Sequence, residues 1–85
     1  MNYHAELVAE LNLLNQFDLS TTQTGIKIHH DASPEVIAAA QRLFDKGLIS
    51  QVDGGYLTDL GHQAAEYSQS LVSILTSPVA LDTTC

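Results

Sequence analysis

Leu43-Phe44-Asp45-Lys46-Gly47-Leu48-Ile49-Ser50-Gln51-Val52-Asp53-Gly54-Gly55-Tyr56-Leu57-Thr58-Asp59-Leu60-Gly61 holds the end of one helix, a hairpin and the start of another helix. Gly47 can take the positive φ that follows a last helical turn, and Lys46 sets a cation against the negative end of the dipole. Leu48 to Val52 and Tyr56 to Thr58 flank Asp53-Gly54-Gly55, whose glycines suit a tight turn, so a β-hairpin is expected. Thr58 can cap a helix starting at Asp59. Gly61, without a Cβ, lets that helix lie close to a neighbouring backbone.

Upstream, Ser33 is a suitable N-cap, Pro34 suits the first helical position, and Glu35 complements the dipole. A helix is predicted over 34–46, with Val36, Ile37, Ala40, Leu43 and Phe44 on its apolar face. Gly25 to His29 alternates apolar and polar residues as a half-buried strand does, and Asn15 to Thr24 is polar enough for a loop over Phe17 and Leu19. Tyr3, Leu7, Leu11 and Leu14 recur at helical spacing, with Val8 beside them, Asn2 as the expected cap and Leu13 off the stripe. Downstream, Leu60, Ala64, Tyr67, Leu71, Ile74 and Leu75 form a stripe with Ala65 and Val72 on its shoulder, and Pro78 ends it. The expectation is one α+β domain over 1–76, ordered α-β-α-β-β-α, with a frayed tail over 77–85.

The step from Leu43 to Ile49, the hairpin, and Tyr56-Leu57-Thr58-Asp59-Leu60-Gly61-His62-Gln63-Ala64 together resemble the second half of a winged-helix domain. In that family a helix closes at "GLI", a wing follows, and an "LT..G" step opens the next helix. The resemblance implies a small winged-helix-like domain that binds either protein or DNA. Two features depart from the family pattern. No helix is readable between Phe17 and Ser33, and the expected wing tip carries Asp53 in place of a cation. Most of the chain also resembles a family of short bacterial proteins of unknown function, some labelled DNA-binding, which transfers no site residue.

Composition limits the roles further. The 85 residues are 45% apolar and 15% charged, which suits a folded chain, and ten acids against three Lys and Arg give a formal charge of −7. That field repels nucleic acid and anionic membranes. The single cysteine, Cys85, fits a reducing compartment, and neither a signal peptide nor a membrane span is readable, so a cytoplasmic location is expected. No nucleophile with an oriented base, phosphate loop or closed metal set appears, so a non-enzyme without cofactor or metal is predicted. His29 and His30 are expected to be solvated at the end of a strand, and His62 and Glu66 to make a surface pair one turn apart.

The candidate contact face is the outer side of helix 34–46, with Ala38, Gln41, Arg42 and Lys46, joined by Lys27 from the strand. Glu35 and Asp45 offset its charge. The expected function is a regulatory or adaptor domain binding an unspecified protein partner. The alternative is a dimeric DNA-binding regulator using helix 34–46, with weak direct affinity for DNA. The wide stripe after Thr58, and Leu13 standing off its own stripe, predict a homodimer.

Overall fold

A computed structural model describes residues 3–21 and 25–77. Six elements follow in the expected order: α1 (Ala5–Leu14), β1 (Ile26–Lys27), α2 (Pro34–Asp45), β2 (Ile49–Gln51), β3 (Gly54–Leu57) and α3 (Asp59–Thr76). Three helices stand with one antiparallel sheet in the strand order β1-β3-β2. Asn2, Pro78 and the tail expected over 77–85, except for Ser77, lie outside the described residues.

Local chemistry sets most of the boundaries. Ser33 Oγ accepts from the Val36 amide at 3.4 Å and Pro34 opens α2, while Gly47 at φ 79° follows its end. Thr58 Oγ1 accepts from the Gly61 amide at 3.0 Å and donates to the Gly47 carbonyl at 2.6 Å, so one hydroxyl begins α3 and fastens the loop after α2. In α1 the cap is His4, whose Nδ1 accepts from the Leu7 amide at 3.3 Å.

The sheet is smaller than its pattern suggested. β1 keeps two of the five expected residues and pairs Ile26 with Gly55 and Lys27 with Gly54. The hairpin turns at Val52-Asp53 instead of at Asp53-Gly54-Gly55, and both glycines open β3 at φ 120° and 72°. The register moves from Ile49 opposite Leu57 to Gln51 opposite Gly54, so β3 carries one extra residue, a bulge that the positive φ of Gly55 accommodates.

Leu13, Leu14, Phe17, Ala39, Ala40, Leu43, Ile49 and Ala65 form the core, with Ala9, Leu19, Ile26, Ile28, Leu48, Leu57 and Ala64 packed around it. Three expected faces are corrected. Leu13, read as standing off the stripe, is 2% exposed, whereas Tyr3 and Val8 are open. Because α1 packs against both α2 and α3, the adjacent Leu13 and Leu14 both turn inward. In α2 the buried residues are Ala39, Ala40 and Leu43, and Ile37 and Phe44 lie at the margin. In α3 the buried residues are Gly61, Ala65 and Ser68, not the expected large ones. A Cβ at Gly61 would strike the Leu48 carbonyl, so the close approach anticipated there is what α3 makes. Contact that tight admits only small side chains and leaves the large ones outside. Polar groups complete the join: Ser68 Oγ donates to Asn15 Oδ1 at 2.8 Å, and Gln69 Nε2 donates to the Phe17 carbonyl at 2.8 Å.

Candidate interaction surface

All three cations of the chain are held by its own acids. Glu6 and Glu10 stand one turn apart on α1, and Arg42 and Lys46 one turn apart at the end of α2, so two helices packed together match carboxylates to cations. The Glu10 side chain is buried, with Arg42 Nε donating to its Oε2 at 2.8 Å and Lys46 Nζ donating to its Oε1. Arg42 Nη2 also donates to the Glu6 carbonyl at 3.1 Å. Burial alone would raise the Glu10 pKa, but the hydrogen bonds and charges of Lys46 and Arg42 outweigh it and hold the group below the ordinary carboxylate value. Lys27 of β1 donates to Asp53 in the hairpin turn, and that hydrogen bond lowers the Asp53 pKa.

The five residues named from the sequence do not form one face. Ala38 and Arg42 line a hollow between α1 and α2, together with Ala5, Ala9 and Pro34. Lys27 and Gln41 line another, on the sheet side of α2, with His29, His30 and Ile37. Gln41 Nε2 donates to Asp45 Oδ1 at 3.0 Å, and Lys46 reaches back to α1. Glu10 is the residue that sequence reasoning missed. Its signal was present: two acids at i and i+4 on a mostly apolar helix answer two cations at the same spacing at the end of α2.

Half of the exposed large apolar side chains among the described residues stand on α3. Leu60 is 55% exposed, Tyr67 68%, Ile74 63% and Leu75 73%, with Leu71 and Val72 each at 43%. Every residue from Ser70 to Thr76 is exposed, so the last two turns of α3 carry their Leu, Val and Ile side chains largely open. Apolar patches on monomers seldom exceed about 300–600 Å².

The histidines offer less. His29 and His30 are exposed at a turn closed by the Ala32 amide donating to the His29 carbonyl at 3.0 Å. Among the described residues no three His, Cys, Asp or Glu side chains converge as a metal site. His62 Nδ1 lies 3.4 Å from Glu66 Oε1, a surface pair on α3. No helix among the described residues is long and apolar enough to cross a membrane.

Residues 1–76 match the family described as "Family of unknown function (DUF5669)", and the chain belongs to that family. No curated protein and no solved structure matches the chain.

Proposed function

We propose, from this geometry and not from membership of a family of unknown function, that the chain is a non-enzymatic, winged-helix-like domain that binds protein through the apolar face of α3. The observation that carries the reading is the engagement of Lys27, Arg42 and Lys46 within the fold, beside an α3 face that is exposed among the described residues. The winged-helix reading is supported by the order of elements, by the helix-hairpin-helix step from Leu43 to Gly61, and by the three-stranded sheet with β3 at its centre.

The alternative, DNA reading by residues 34–46, asks Arg42 and Lys46 to turn outward. That movement would strip both partners from Glu10 and leave a buried carboxylate without a counter-charge, a cost of several kcal/mol. With only three cations the salt slope could reach only about −3 per chain.

The test is an anisotropy titration against mixed duplex DNA, then a selected pool, at about 100 mM salt, where specific regulators reach about 10⁻⁸ M. Binding weaker than about 10 μM, unchanged in Arg42→Ala, is expected. Sub-micromolar binding that collapses in Arg42→Ala, with helicity retained, overturns the proposal in favour of the regulator.

A further inference from the structure

The apolar face of α3 has a spacing suited to a second helix. Leu60, Ala64, Tyr67, Leu71 and Ile74 follow one another at steps of four, three, four and three, the 3.5-residue repeat with which helices pair side by side. The four large residues of this seam are also uncovered. The seam runs alongside the stripe that meets the core, Gly61, Ala65 and Ser68, and its large side chains are not used by that contact.

Charge decides between partners. The chain carries −7, so two copies repel wherever their acids meet. Asp59 and Glu66 are the only charged residues of α3, apart from His62, and neither belongs to the seam. The flanking positions are Gln63 and Ser70 on one side and Gly61, Ser68 and Leu75 on the other, all uncharged. A basic partner would find no carboxylate along this rim to hold it, whereas a copy of the chain meets no like charge. Taking ~180 Å² for a large apolar side chain, the four large seam residues and Leu75 leave roughly 540 Å² open per copy, or about 1,100 Å² for a pair, close to the lower bound of a stable interface.

We propose that α3 pairs with α3 of a second copy, antiparallel about a two-fold axis at Tyr67. Leu60 then faces the partner's Ile74, and small Ala64 lies opposite the partner's Leu71, whereas a parallel pair would set alanine against alanine and leave a gap. The uncovered turns from Ser70 to Thr76 come to lie along the start of the partner's α3, beside its body. The inference rests on the reading of α3 as the contact face and names the partner.

The test uses the full chain in a Cys85→Ser background, at tens of micromolar, by sedimentation equilibrium. A dimer is expected, converted to monomer by Leu71→Glu with helicity unchanged, since residue 71 lies outside the core. Ser73→Glu, on the other side of the same helix, should leave the dimer intact. Leu60→Cys with Ile74→Cys should cross-link two copies on oxidation. Ile74→Cys alone should not, because two residues 74 stand about 20 Å apart in this arrangement. A monomeric parent chain, a Leu71→Glu variant that stays dimeric, or efficient cross-linking by Ile74→Cys alone overturns the proposal. The two readings fail separately. A monomer without affinity for DNA removes the second copy but not the protein-binding role, and a dimer that binds DNA tightly does the reverse.

Discussion

A methyl group added at Gly61 would meet the carbonyl of Leu48, whereas one added at Gly47 would meet nothing within 4 Å and be strained only by a φ of 79°. Two glycines 14 positions apart therefore have different physical reasons to be glycine. We expect Gly47→Ala to cost about 1 kcal/mol, the ordinary left-handed penalty, and Gly61→Ala about 2–3 kcal/mol, because α3 must move away from the backbone it touches. Thermal melts resolve the difference, since 1 kcal/mol shifts the midpoint of a domain this size by about 4–8 °C. The reverse order would show that the Leu48 loop yields more easily than its contacts suggest. Both roles were readable in the sequence, because a helix end and an "LT..G" step are local. The hairpin glycines were misread by a residue or two. Gly54 and Gly55 serve a bulge and a pairing with β1, and that pairing depends on a strand nearly thirty residues away.

At the level of elements, Thr58 makes the junction on which the second half of the fold turns, capping α3 and donating to the carbonyl of Gly47. Removing the hydroxyl takes both bonds away. Thr58→Ala should cost about 1–2 kcal/mol, with most of it recovered in Thr58→Ser, as read from denaturant midpoints. Equal losses in the two variants would assign the effect to the methyl group instead. The order of all six elements was legible because caps, turn residues and periodicity act within a few residues of chain. The buried sides were less so. Periodicity locates an apolar stripe but does not say whether the body of the same chain covers it, and α3 settles its packing with Gly61, Ala65 and Ser68. The charge partners of the candidate contact residues were hidden for a related reason: Arg42 and Lys46 were weighed against acids of their own helix, while the carboxylate that takes them stands on α1.

For the whole molecule, acid acts in two opposed directions. Protonating the many exposed carboxylates relieves the repulsion of a chain at −7, whereas protonating Glu10 removes the charge pairing that joins α1 to α2. The Glu10 pKa is lowered on folding, so its contribution is complete above the ordinary carboxylate range and is lost as pH falls through the folded value. We expect Glu10→Gln to lose about 1–2 kcal/mol at pH 7, less than for fully enclosed pairs because its cations can return to water, and the gap to narrow as pH falls below the ordinary carboxylate range. Denaturant midpoints at pH 7, 5 and 3 test this. A gap that stays constant with pH would assign the loss to shape and not to charge. The internal satisfaction of Lys27, Arg42 and Lys46 also bears on how the molecule meets its neighbours in a crowded solution. To an approaching macromolecule it is a polyanion whose bases are already spoken for. Random collisions with other acidic proteins end in repulsion, and the uncharged side of one helix is where an encounter can last.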